Sequence, residues 1–449
     1  MDSAIRSLTL LLLIMFTVTQ SRESKAAPRL KRFPAEATEK NLKTLAGPLW
    51  LPLLHRDSIT KATNLSYEQR TKQMLERDAL RVAAINARLK DLQTKVFSGI
   101  PQNSNEYFTR IRVGSQAREQ AMAVDTGSDN IWIQCQPCKV CYSQTDPLFD
   151  PALSSTFKPI NCSSYACRQL HIGSCDGNGN CLYEVYYGDK SHTTGNLAME
   201  TLTIGKVSVR NAVIGCSHTS HGLFVAHAGI LGLGRGSLSL PSQLSHYYAG
   251  IFSYCLVDRN SNRSSTLDFG PQAVPPGAVF APLLSNARHE SFYYVSLVGI
   301  SVAGKKLAIE ESVFLPDQSG HGGTIIDSST VLTRLPTDAF LPLRDAFVAA
   351  FVDELPLSDE NEEFGACYYP FEHEDHPGVP TIDFHFSNNA TLSLPRRNVL
   401  VKVNDKGTFC LAFLETSSSI SIIGNVQQQG IRVSYDTVNR LVGFTLNSC

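Results

Sequence analysis

Polar and apolar positions change rhythm three times along the chain. Residues 8–18 carry no charge, follow a start in which Arg6 is the only basic residue, and lead into Ser21, Lys25, Ala26 and Ala27. A run of about a dozen apolar residues falls short of the roughly 20 that span a bilayer, and fits a removable export signal over residues 1–27. Residues 28–63 hold Pro, Lys and Arg without periodicity. Ser66-Tyr67-Glu68-Gln69 then forms a capping box, after which Leu75, Ala79, Val82, Ile85, Leu89 and Leu92 recur at three- and four-residue spacing. That spacing predicts an amphipathic helix. After Gly99 the pattern becomes short runs of Val, Ile, Thr and Tyr, broken every 8 to 12 residues by Gly, Asn, Asp or Pro. This predicts β structure to the end of the chain, with helical spacing only over 242–248 and 337–352. Such a length of β structure is large for one barrel or sandwich, so two β lobes are expected.

Charge changes the reading of the first hundred residues. The 449-residue chain is 43% hydrophobic and 18% charged, with a formal net charge of -1, an ordinary globular mix. Residues 1–100 hold 17 basic and 9 acidic residues, a net of +8; the remaining 23 basic and 32 acidic residues give the body -9. An acidic body argues against nucleic acid as the main partner, since phosphate binding needs clustered Lys and Arg. The predicted helix carries Arg70, Lys72, Arg77, Arg81, Arg88 and Lys90. Placed before a body of opposite sign, it reads as a removable prosegment over 28–100 that covers its own protein, rather than as a membrane-surface helix.

An export signal also changes the reading of the cysteines. Eight lie close together (Cys135, Cys138, Cys141, Cys162, Cys167, Cys175, Cys181, Cys216) and four are spread out (Cys255, Cys367, Cys410, Cys449). The Cys135-x2-Cys138-x2-Cys141 run has metal or iron–sulfur spacing, but in an exported chain disulfides are expected, in pairings a single sequence does not reveal. Two even groups suit two separately stapled lobes. Sequons at Asn64, Asn161, Asn262 and Asn389 fit the same route as glycosylation candidates.

The strongest internal signal is a half-repeat. Ala121-Met122-Ala123-Val124-Asp125-Thr126-Gly127-Ser128 matches Gly323-Thr324-Ile325-Ile326-Asp327-Ser328-Ser329-Thr330. Each copy is answered downstream by an apolar pair and Gly, Ile230-Leu231-Gly232 and Ile422-Ile423-Gly424, at separations of 107 and 97 residues from Asp to Gly. Two similar lobes meeting at an approximate two-fold axis would bring Asp125 and Asp327 together. Adjacent carboxylates share one proton, so the ionised member activates a water while the protonated member donates to a substrate carbonyl. Asp-Thr-Gly alone would be an ordinary turn after a strand; its repetition with matching downstream pairs favours the paired-carboxylate reading. Neither a G-x-S-x-G serine elbow nor a P-loop is present, and Gly232-Leu233-Gly234-Arg235-Gly236 lacks dinucleotide-loop spacing. The reaction needs no metal or cofactor.

From about residue 50 onward the chain resembles the pepsin-like (family A1) aspartic peptidases, and more closely their plant nepenthesin-type and guard-cell branch. The resemblance rests on His55-Arg56-Asp57, Glu106-Tyr107-Phe108, Asp125-Thr126-Gly127-Ser128-Asp129 with Trp132, and Cys135-Gln136-Pro137-Cys138 running to Phe149-Asp150-Pro151. It continues through Tyr187-Gly188-Asp189, Gly222-Leu223-Phe224, Ile423-Gly424-Asn425-Val426-Gln427-Gln428-Gln429 and Tyr435-Asp436. It implies an all-β, bilobal fold with a cleft for an extended peptide: an N-terminal lobe over 101–282 with a Cys-rich insertion and a flap, and a C-terminal lobe over 283–449. It also implies acid-optimal endopeptidase activity on protein or peptide substrates, in a monomer without a membrane anchor, secreted or vacuolar. Asp125 and Asp327 would be the dyad, Thr126, Gly127, Ser128, Ser328, Ser329 and Thr330 its support, with Ser128 and Thr330 on the outer oxygens. Tyr187, with Gly188, would sit on the flap and reach the indole of Trp132.

Three positions depart from that pattern. Ser329 stands where the family has Gly, Lys190 where Gly is expected at the flap tip, and Ser217-His218-Thr219-Ser220 replaces a more Gly- and Asn-like stretch expected at the cleft edge. Ser329 adds a hydroxymethyl group beside the dyad, so the competing expectation is a catalytically impaired relative that binds proteins.

Overall fold

The structure of the protein, a computed structural model, describes residues 92–351, 364–369, 378–405, 407–447 and 449. The expected export signal, most of the prosegment with its basic helix, and Asn64 lie outside the described residues.

Among the described residues, 20 strands join into one continuous hydrogen-bonded sheet, with two smaller sheets of four and three strands. Each half contains the same four-strand arrangement. In the first, Arg118–Asp125 runs parallel to Gly229–Gly232, with Gly232 opposite Asp125. Trp132–Gln134 runs antiparallel to Gly229–Gly232 and parallel to the segment through Gly215 and Cys216. In the second, Gly323–Ile326 runs parallel to Ile420–Ile423. Thr333–Pro336 crosses Ile420–Ile423 antiparallel and pairs in parallel with Phe413–Thr416. The strands leading into the two aspartates are buried over Gln120–Asp125 and throughout Gly323–Ile326. That is why they read as continuous apolar runs rather than alternating ones.

A shared sheet joins the halves. Ile251–Cys255 pairs with Ile431–Asp436, which pairs with Leu441–Leu446, which in turn pairs with Val279–Leu284. Val279–Leu284 therefore runs across position 282, where the two lobes were expected to divide. On the other side Ser264–Phe269 pairs with Leu92–Ser98, and that strand with Tyr107–Val113. Leu92 and Val96 are buried while Gln93 and Lys95 are exposed. The apolar stripe of the expected helix thus does not extend to Leu92: a two-residue alternation governs the segment, and its partner strand fixes it in a sheet. Among the described residues the α-helices are four residues long, at Tyr165–Arg168, Leu240–Gln243, Ser245–Tyr248 and Asn425–Gln428, except for Thr337–Ala350.

All twelve cysteines are paired. Cys135–Cys216, Cys138–Cys141, Cys162–Cys175 and Cys167–Cys181 staple the first half, which replaces the metal-like reading of the Cys135 run. Cys367–Cys410 lies in the second half, but Cys255–Cys449 ties the chain's end to Ile251–Cys255. The expectation of two separately stapled lobes is corrected by that bond, because the shared sheet brings Cys255 beside the C-terminal strands. Asn161, Asn262 and Asn389 are all exposed.

Candidate active site

Both aspartates leave buried strands at equivalent points and are themselves buried, Asp125 at 3% and Asp327 at 8% exposure. The two loops lock onto one another reciprocally. The Thr126 amide donates to Ser328 Oγ (3.1 Å), and the Ser328 amide to Thr126 Oγ1 (2.9 Å). Ser328 Oγ then donates to the Val124 carbonyl (2.9 Å) and Thr126 Oγ1 to the Ile326 carbonyl (3.5 Å). A buried hydroxyl needs partners, and here each loop supplies those of the other.

Around the carboxylates the symmetry continues. The Gly127 amide donates to Asp125 Oδ1 (2.8 Å) and the Ser329 amide to Asp327 Oδ1 (3.1 Å). Ser128 Oγ donates to Asp125 Oδ2, and Thr330 Oγ1 to Asp327 Oδ2 at 2.6 Å. A Cβ placed on Gly127 would lie 2.9 Å from Asp327 Oδ1 and 3.2 Å from Asp125 Oδ1, so both inner oxygens face one point. Burial, then the neighbouring Asp327 charge, pushes Asp125 up to about 6, against donors that include Ser128, the Gly127 amide and Ser329. The pair therefore retains a proton well above the ordinary carboxylate range.

Ser329 breaks the symmetry. Its Oγ donates to Asp327 Oδ1 at 2.9 Å and to Oδ2 at 3.0 Å, placing a hydroxyl on the inner face of the pair. The opposite loop leaves that position open at Gly127.

The hairpin of Cys181–Tyr186 and His192–Ile204 carries Tyr187 in its turn. Trp132 Nε1 donates to Tyr187 Oη at 2.7 Å, and the Phe224 ring packs edge-on against both. Gly188 is exposed beside Tyr187. Lys190 adopts φ 70°, the left-handed backbone that a Gly would take without a Cβ penalty. Within the stretch expected at the cleft edge, Ser217 and Ser220 are instead buried with Thr193 in a hydroxyl cluster under the hairpin. Strand pairing with His192–Ile204 turns them inward.

Two groups of polar residues carry no role in the sequence reading. Asn425 Nδ2 donates to the Ser328 carbonyl (3.1 Å) and Gln428 Nε2 to the Asp327 carbonyl (3.0 Å), so the turn after Gly424 braces the second loop from behind. The Gln-rich run itself was visible; its inward direction was not. His227 is buried among Phe108, Trp132, Tyr142 and Phe224, with Nδ1 3.1 Å from Tyr142 Oη and Nε2 3.7 Å from Glu106 Oε2. Desolvation lowers His227 to about 4 and raises Glu106 to about 7. Between those limits both are neutral, so this contact is not an ion pair.

A two-lobed β fold with one aspartate from each lobe at a reciprocal loop contact defines a class, and comparison with known proteins agrees. Family models described as "Xylanase inhibitor N-terminal" and "Xylanase inhibitor C-terminal" match residues 107–271 and 292–446. The chain belongs to the pepsin-like (A1) aspartic peptidase family. Within it, the chain falls in the plant nepenthesin-type and guard-cell branch. It is 43% identical over 418 residues to the Arabidopsis thaliana protein named Aspartic Protease in Guard Cell 2, covering 89% of this chain and 87% of that one. To aspartic proteinase nepenthesin-1 of Nepenthes gracilis it is 36% identical over 401 residues, covering 88% and 89%. Among solved structures, the one titled edgp overlays with a TM-score of 0.67 at 22% identity, covering 79% of this chain and 94% of that one. Basic 7S globulin from soybean overlays at 0.63 and 19% identity, covering 79% and 96%; both likenesses concern the fold.

Proposed function

We propose that the chain is an acid endopeptidase made as a zymogen, cleaving peptide bonds flanked by bulky apolar residues in proteins and peptides. The observation that carries this reading is the matched setting of Asp125 and Asp327, each with an amide on its inner oxygen and a hydroxyl on its outer one. One proton resides on the pair, favoured on Asp125 by burial. The ionised member takes a proton from water, the protonated member donates to the scissile carbonyl, and the water attacks to give a tetrahedral intermediate that collapses with release of the amine. Tyr187, held by Trp132, closes the hairpin over the peptide and keeps bulk water from the pair. The export signal, the three exposed sequons and the six disulfides support secretion or a vacuolar destination of a monomer. The +8 leader against the -9 body supports a prosegment held by charge at neutral pH and released when acid protonates the body's carboxylates.

A second reading has one observation in its favour. The Ser329 hydroxyl bonds both oxygens of Asp327, on the face where an attacking water must be held. A binding protein with weak or no proteolysis would tolerate that. The experiment is to acidify the purified full chain to about pH 4, near the working range of paired carboxylates, and follow cleavage of a denatured protein with and without a statine-type transition-state analogue. Analogue-sensitive cleavage is expected, together with self-processing that Asp125→Ala abolishes. Processing that persists in Asp125→Ala would assign maturation to another protease, and no cleavage by wild type alongside activity of Ser329→Gly would establish the second reading.

A further inference from the structure

Outside the site already described, a cavity of about 320 Å³ opens where three distant segments meet: Asp258–Asn260, residues 400–405 with Arg397, and Val426 with Gln429. That volume is in the range of small-molecule sites. Its floor is apolar, since Val401 and Val426 are buried there with Ala412 in a small cluster of their own. Its lining carries three cations, Arg259, Arg397 and Lys402, against two acids, Asp258 and Asp405.

The polar groups at this cavity are not all used by the fold. Arg259 donates through Nη2 to Asn105 Oδ1 at 3.0 Å. Arg397 is half-buried and makes no hydrogen bond or ion pair among the described residues. Its guanidinium lies against Gly430, whose φ is +74°; a Cβ there would fall 2.2 Å from Arg397 Nη2. Glycine at that position lets the fork lie on the backbone, held in place without any polar partner. Gln429 is only 4% exposed and lines the same cavity, yet its Nε2 has no hydrogen-bond partner. That amide nitrogen is enclosed by the protein, whereas the unpaired guanidinium at the cavity presents a fork suited to two acceptor oxygens. Asp258 does not meet that need: no hydrogen bond or ion pair joins it to Arg397 among the described residues, and its Oδ1 accepts from the Asn260 amide (2.8 Å).

We propose that this cavity binds an amphipathic carboxylate, a single carboxyl group on a short apolar body. Arg397 takes the carboxylate as a bidentate partner, and the apolar body lies on Val401 and Val426. The site is separate from the dyad and independent of the peptidase reading. It adjoins the catalytic loop, since Gln428, next to Gln429, holds the Asp327 carbonyl.

The test is calorimetric titration of the full secreted chain at neutral pH with 4-phenylbutyrate and with its uncharged isostere 4-phenylbutyramide. Binding of the acid at least tenfold tighter than the amide is expected. Arg397→Ala should weaken the acid tenfold or more and Arg397→Lys less than Arg397→Ala, with proteolysis unchanged in both variants. Equal binding of acid and amide, unchanged binding in Arg397→Ala, or no binding of the acid at 10 mM, a concentration corresponding to about 3 kcal/mol, would overturn the proposal. If Arg397→Ala does not fold, Arg397→Lys and the uncharged Arg397→Gln decide it, the second losing the preference for acid over amide.

Discussion

The loops that follow Val124 and Ile326 are near-copies, and their one difference beside the dyad teaches more than their likeness. Both provide an amide to the inner carboxylate oxygen, a hydroxyl to the outer one, and a second hydroxyl locked into the opposite loop. At Gly127 the inner face is open; at Ser329 it holds a hydroxyl within 3.0 Å of both Asp327 oxygens. The shared features build a rigid site. On the proposed peptidase reading, the difference sets how well water and substrate are placed there, and each 1.4 kcal/mol of misplacement would change the rate about tenfold.

The largest expected effect removes what the loops share. Asp125→Asn or Asp327→Asn should lower kcat/KM by about 10³-fold or more, measured on a quenched peptide at acid pH. Stability should respond differently. Asp125 has its folded-state pKa raised to about 6, so its favourable contribution is full below its ordinary value of 3.8 and is lost as pH rises through about 6. Asp125→Asn should therefore be more stable than wild type in denaturant titration at pH 7.5, by about 1–3 kcal/mol, with the gap closing at pH 3.5.

Next comes the reverse copy. Gly127→Ser places a Cβ 2.9 Å from Asp327 Oδ1 in the loop that is now open, and should reduce kcat at least tenfold with little change in thermal stability. An unaffected rate would mean that the inner face tolerates a side chain from either loop. Ser329→Gly makes the loops alike in the other direction and should raise kcat by about tenfold. The smallest effect concerns the lock: Thr126→Val strips two hydrogen bonds between the loops and should lose about 1–3 kcal/mol in denaturant titration.

The same comparison shows what could be seen in the sequence. Each aspartate ends a buried apolar strand and is answered by an apolar pair that lies parallel to it, so the repeat in residues is a repeat in sheet register. The flap contact of Tyr187 with Trp132 needed the resemblance, because nothing in the residue pattern links a hairpin turn to a strand 55 residues earlier. Other features escaped because they depend on distant segments meeting. Cys255–Cys449 follows from the shared sheet, and Leu92 belongs to a strand only because Ser264–Phe269 lies beside it. His227 looks in sequence like one polar residue in an apolar run; only packing shows its ring enclosed by four aromatic side chains.

One measurement bears most directly on how the two loops work together: the pH dependence of kcat/KM for the acid-activated wild type and for Ser329→Gly. The wild type should be active at acid pH and lose activity as Asp125 deprotonates near pH 6. Ser329 is a donor that favours the ionised pair, so Ser329→Gly should shift that limb upward while raising the maximum rate. Superimposable profiles, or no proteolysis by either protein at any pH, would contradict a one-proton dyad restrained by Ser329.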